Sequence, residues 1–104
     1  MTDSSPIYDT KVEIDTELRE PSLYQLIFLN DDSTTYEFVV DCLMKYLNYT
    51  EATAQKITEE IHEYGSATVA VMPYEIAEQK GVEITVSARS NGFPLTIKIE
   101  PESD

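Results

Sequence analysis

Hydrophobic and polar positions change their spacing several times along this chain. Leu23-Tyr24-Gln25-Leu26-Ile27-Phe28-Leu29 is a short apolar run, too brief for a good helix and rich in strand formers. Thr34-Thr35-Tyr36-Glu37 then has the spacing of a capping box, in which the Thr34 hydroxyl and the Glu37 carboxylate satisfy the first helical N–H groups. Apolar residues follow at 38, 39, 42, 43, 46 and 47, the spacing of a helix with one buried face. A second helix is predicted from Thr50, with Ala54, Ile57, Ile61 and Tyr64 on one stripe and Gly65 as its C-terminal cap. Ala67 to Met72 is β-like and ends at Pro73. A third helix is predicted from about Tyr74 to Ser90, with Ile76, Ala77, Ile84 and Ala88 facing inward. Gly81 in its middle costs about 1 kcal/mol relative to Ala, which predicts a close helix–sheet contact there. Asn91-Gly92 stops the helix, and Leu95-Thr96-Ile97-Lys98-Ile99 alternates as a last strand.

The resulting order, β-α-α-β-α-β, predicts a small single α+β domain, a three-stranded antiparallel sheet with three helices packed on it. Its core is expected over residues 21–100. Residues 1–20 lack hydrophobic periodicity and mix Thr, Ser, Asp and Glu with a Pro, so they are expected to form a flexible N-terminal extension. Residues 101–104, Pro-Glu-Ser-Asp, are expected as a disordered tail.

Charge narrows the classes of partner. The chain of 104 residues carries a formal net charge of −13. Residues 1–20 hold six acids and two bases, and residues 21–104 hold fourteen and five, so the excess is spread along the chain. That balance argues against nucleic acid, whose binding rests on Lys and Arg neutralising phosphates. It equally disfavours an anionic membrane surface, and it favours cationic ligand groups. Cys42, the only cysteine, permits no intramolecular disulfide or thiolate metal cluster and reads as a small core residue. The start lacks an apolar core of signal-peptide type, and no apolar run approaches membrane-spanning length. A soluble, cytoplasmic protein is expected.

Two features carry candidate chemistry. His62, the only histidine, follows Thr58 by one helical turn and by itself reads as a surface or half-buried side chain. With one His and one Cys, no set of nucleophile, base and oxyanion donors can be assembled, so no enzyme is expected. A metal site on His62, Asp31 and Asp32 matches no strong motif, and neither metal nor cofactor is expected. The stretch Asn30-Asp31-Asp32-Ser33 has a plain reading as a polar turn before a capped helix. With Thr34 as the cap, however, two adjacent carboxylates exceed what the turn requires. An α-ammonium group offers three N–H donors. An Asn oxygen, an Asp carboxylate and a neutral His nitrogen would supply three acceptors, given that the strand end and the second helix converge.

From Pro21 to Glu100 the chain resembles the ClpS family, adaptor proteins of the Clp protease that recognise N-degrons. The resemblance rests on Pro21-Ser22-Leu23-Tyr24, Leu29-Asn30-Asp31-Asp32-Ser33-Thr34, Glu37-Phe38-Val39-Val40-Asp41, Ile61-His62-Glu63-Tyr64-Gly65, Glu75-Ile76-Ala77-Glu78-Gln79-Lys80 and Phe93-Pro94-Leu95. It implies that Asn30, Asp31, Asp32 and His62 hold a substrate's free α-amino group, with Asn30, Asp32 and His62 in direct contact. It implies a hydrophobic pocket for a bulky N-terminal side chain at Thr34, Tyr36, Val39, Thr58, Ile61 and Leu95. It further implies an interface with the N-terminal domain of a ClpA-type AAA+ unfoldase at Glu75 and Lys80, and a role for the N-terminal extension in substrate delivery. Many relatives have Met at the positions of Tyr36 and Thr58, and Met adapts to several side chains. A selectivity shift among bulky side chains is therefore expected here, unless Tyr36 points to solvent. The alternative function is a non-catalytic α+β interaction domain that docks on a ribosomal or other translational partner.

Overall fold

A computed structural model describes residues 22–102. The chain runs β1 (Leu23–Leu29), α1 (Tyr36–Leu47), α2 (Glu51–Tyr64), β2 (Ser66–Pro73), α3 (Tyr74–Ser90) and β3 (Thr96–Pro101). The element order and class are those the hydrophobic pattern predicts. β1 is the central strand, antiparallel to β2 on one side and β3 on the other. α3 lies across all three strands, α2 packs on β2, and α1 closes against α2 and α3.

Capping and alternation explain most boundaries. Thr50 caps α2 by accepting from Thr53 N at 3.3 Å, and Gly65 ends it at φ 89°, a left-handed conformation that glycine adopts without strain. Leu26 and Phe28 of β1 point into the core with Leu43, Ile84, Leu95 and Val69, all at 2% exposure or less. Cys42 joins them as a buried thiol, pushed up to about 11 by desolvation and by Asp41. The β1–β2 register shifts between Leu26 and Ile27, whose partners are Ala70 and Thr68, so Val69 is an extra residue in the ladder. Its side chain is buried, and its carbonyl accepts from the Tyr49 hydroxyl at 2.6 Å.

Three sequence expectations need correction. Tyr64 is 73% exposed and Ile76 45% exposed, so neither belongs to a buried stripe. Tyr64 sits in the last turn of α2, just before Gly65 turns the chain away, and Ile61 is the last buried residue of the helix. On α3 the inward stripe is Ala77, Gly81, Ile84 and Ala88, and Ile76 falls outside it. β3 also continues into the segment expected as a disordered tail: Pro101 pairs with Tyr24, and Glu102 N donates to Leu23 O at 3.0 Å. Residues 103–104 and the expected N-terminal extension lie outside the described residues. No helix among the described residues is long and apolar enough to cross a membrane.

Candidate functional site

The loop between β1 and α1 is shaped by one of its two aspartates. Asp31 accepts from Ser33 N at 2.8 Å and from Thr34 N at 2.6 Å through one carboxylate oxygen. Its other oxygen accepts from the Thr34 hydroxyl at 2.8 Å. Partial burial alone would raise the Asp31 carboxyl. The bonds from Thr34 and Ser33, with the charge of Arg89, outweigh it and hold the group below its ordinary 3.8. This arrangement overturns the expected capping box. The Thr34 hydroxyl is committed to Asp31, so Thr35 becomes the N-cap of α1 and accepts from Phe38 N at 3.1 Å.

The sheet brings this loop to α2. Asn30 N donates to Gly65 O at 2.9 Å, one step beyond the last β1–β2 pair, Leu29 and Ser66. That bond fixes Asn30 beside the C-terminal end of α2, three residues from His62. Exposed Asp32, unlike Asp31, makes no hydrogen bond to another described residue, and exposed His62 is free in the same sense. The acceptor groups of Asn30, Asp32 and His62 are thus open to a ligand.

These residues border a cavity of about 440 Å³, within the size range of small-ligand sites. Asn30, Asp31, Asp32 and His62 supply its polar part, and Thr34, Tyr36, Val39, Thr58 and Ile61 form its walls together with Thr35. Of the ten candidate residues for the amino-group site and pocket, Leu95 alone is not on this wall. It is 2% exposed and packed in the core, because alternation at the entrance to β3 turns it inward while Arg89 Nη1 donates to its carbonyl at 2.9 Å. Tyr36 is 41% exposed, and its hydroxyl donates to Glu59 Oε2 at 3.4 Å, bridging α1 and α2. Desolvation, then the Glu59 carboxylate, raises its phenol above the ordinary value.

Three contributors escaped the sequence reading. Thr35 replaces Thr34 as the cap, Glu59 anchors Tyr36, and Arg89 clamps the Phe93 and Leu95 carbonyls at 3.0 and 2.9 Å. Only Arg89 left a sequence signal, a cation in the last turn of a helix. Glu75 and Lys80 lie on α3, away from the cavity. Glu75 is exposed in the first turn, and Lys80 flanks the buried stripe 4.0 Å from Glu83. Among the described residues, no group of His, Cys, Asp and Glu is arranged to hold a metal ion.

Comparison with known proteins gives one consistent result. Residues 19–98 match the family model described as ATP-dependent Clp protease adaptor protein ClpS. The chain is 42% identical over 91 residues to the ClpS adapter protein of Nautilia profundicola, covering 88% of this chain and 94% of that one. It is 37% identical over 102 residues to the adapter protein ClpS 2 of Agrobacterium fabrum, covering 98% and 99%. Among solved structures it resembles Agrobacterium tumefaciens ClpS2 bound to L-phenylalaninamide, with TM-score 0.77 and 40% identity over 80% of this chain and all of that one. With more than three-quarters of its length matched by the family model and its fold shared with a solved member, this chain belongs to the ClpS family of Clp protease adaptor proteins.

Proposed function

We propose that this protein is a non-catalytic adaptor that binds N-terminal degrons beginning with a bulky hydrophobic residue and delivers their bearers to a ClpA-type unfoldase of the Clp protease. One observation carries the reading: a single cavity joins three unengaged acceptors, on Asn30, Asp32 and His62, to a wall containing Val39, Ile61 and Tyr36. The acceptors match the three donors of an α-ammonium group, and bonds to a charged donor are the stronger kind. The wall takes the side chain. L-phenylalaninamide, held by the Agrobacterium tumefaciens relative, has a free α-amino group, a benzyl side chain and an amide where a peptide would continue.

Each part has a separate duty. Burying one bulky side chain contributes about 1.5–3 kcal/mol, and any internal Leu or Phe could offer that. Selectivity for a chain terminus must come from the polar end, where Asp31 sets the loop and Asp32 presents the charge. Delivery would use the outer surface of α3 around Glu75 and Lys80 for the unfoldase, and the N-terminal extension for engagement. The decisive measurement is titration of the purified protein with a Leu- or Phe-initiated peptide and with its N-acetylated form. Acetylation removes the charge and with it hydrogen bonds to a charged donor, each contributing about 1.5–3 kcal/mol. Equal affinity for the two peptides would disprove recognition through the amino group.

A further inference from the structure

Thr58 is the one buried polar residue among the described residues, at 4% exposure, and it lies on the cavity wall. Its hydroxyl proton is already committed, since Oγ1 donates to Ala54 O at 2.7 Å, one turn back on α2. A hydroxyl has one proton and two lone pairs. With the proton engaged, Oγ1 has only acceptor capacity left, and no donor from a described side chain reaches it. Its neighbours on the wall, Val39 and Ile61, carry no polar side-chain atom. The other nearby phenol, that of Tyr36, is directed to Glu59.

A Leu or Phe side chain filling this space offers Oγ1 no donor and leaves a buried acceptor short of a partner, which is unfavourable. A phenol brings a donor. His62 lies four residues beyond Thr58 on the same helix, an axial rise of about 6 Å. That separation is on the order of the span from a tyrosine's α-amino group to the far edge of its ring.

We propose that Thr58 Oγ1 accepts the phenol proton of an N-terminal tyrosine and so makes tyrosine preferred over phenylalanine as the first residue of a substrate. The proposal deepens the degron reading and rests on it. Back-bonding of a Thr to the i−4 carbonyl is common in helices and has a structural role of its own. The distinguishing readout is therefore the ratio of Tyr to Phe affinity, which a purely structural Thr would not move.

The test uses three peptides identical except at the first residue, Tyr, Phe or 4-methylphenylalanine, titrated against the full chain and against Thr58→Val. The methyl analogue has the size of tyrosine without its donor. Tyr is expected to bind the wild-type protein about tenfold more tightly than 4-methylphenylalanine and several-fold more tightly than Phe. In Thr58→Val the preference for Tyr over Phe should fall about tenfold. The wild-type series needs no variant, so it decides the matter even if Thr58→Val folds poorly. Wild-type Tyr binding no better than Phe, or an unchanged Tyr-to-Phe ratio in a folded Thr58→Val, overturns this proposal and leaves the degron reading standing. Failure of all three peptides to bind overturns both.

Discussion

Two concave surfaces of this molecule arise from different causes. The groove where α3 crosses β3, about 320 Å³, is walled chiefly by Tyr74, Val82, Val86, Ile97 and Ile99 around Gly81. It exists because a glycine stands where a side chain would reach the sheet: a Cβ built on Gly81 would lie 3.7 Å from Leu26 Cδ1 and 3.8 Å from Ile99 Cδ1. Those are ordinary contact distances, so the expected need for a glycine at this crossing is not steric. The cavity beside α2 is instead held open by a hydrogen-bonded loop and presents acceptors with no partner among the described residues. The first is a shortfall of packing, the second an arrangement of charge, and only the second offers unengaged polar groups.

The contrast can be broken most decisively at the acceptors. Asp32→Ala and His62→Ala should each weaken a Leu- or Phe-initiated peptide at least about tenfold, with the thermal midpoint little changed because both residues are exposed. Val82→Ser in the groove should leave the same affinity untouched. A loss of binding from the groove variant would erase the distinction.

The next effect is one of stability. Asp31→Asn keeps an oxygen for the Ser33 and Thr34 amides but cannot accept from the Thr34 hydroxyl as well, so it should lower stability by about 1–2 kcal/mol. The sign of its pH dependence follows from the lowered carboxyl. The Asp31 contribution is fully present above its unfolded value and is lost as pH falls through the lower folded one. Denaturant unfolding of both proteins across acidic pH should show the gap closing toward acid. A gap that widens would contradict the assignment.

Gly81→Ala should act in the opposite direction. It fills part of the groove and removes a helix-interior glycine, so stability should rise by about 0.5–1 kcal/mol, measured by chemical denaturation. Peptide affinity should stay constant, and destabilisation would mean that the groove is tighter than its contacts show. Smallest of all is Tyr36→Phe. It removes one long, exposed hydrogen bond and should change stability by less than about 0.5 kcal/mol, readable as a near-coincident melting curve.

The fold was legible from the sequence wherever side chains repeat. β1, the α2 caps and the span of α3 follow from apolar spacing, Thr50, Gly65 and Pro73. Errors fell where a polar group outcompeted the pattern. Asp31 captured Thr34 and moved the cap of α1 to Thr35, an event decided by a loop bond rather than by periodicity. Thr58 is buried yet polar, so apolar counting passes over it while favouring Tyr64, which is exposed. The cavity itself depends on Asn30 meeting Gly65, a contact between residues 35 positions apart that no local rule contains. The family resemblance, not the spacing, put His62 beside the loop.

The Val69 bulge bears on how this chain can change in length. An added residue in a strand would ordinarily turn every following side chain to the opposite face. Here Val69 fills the core itself and Tyr49 takes its carbonyl, so Ala67 and Thr68 keep their phase toward Gly65. The strand absorbs a residue without transmitting the slip to the end where Asn30 is fastened. Deleting Val69 would therefore leave the loop after β1 in register while thinning the core beneath it, separating the geometry of the candidate site from the stability of the sheet.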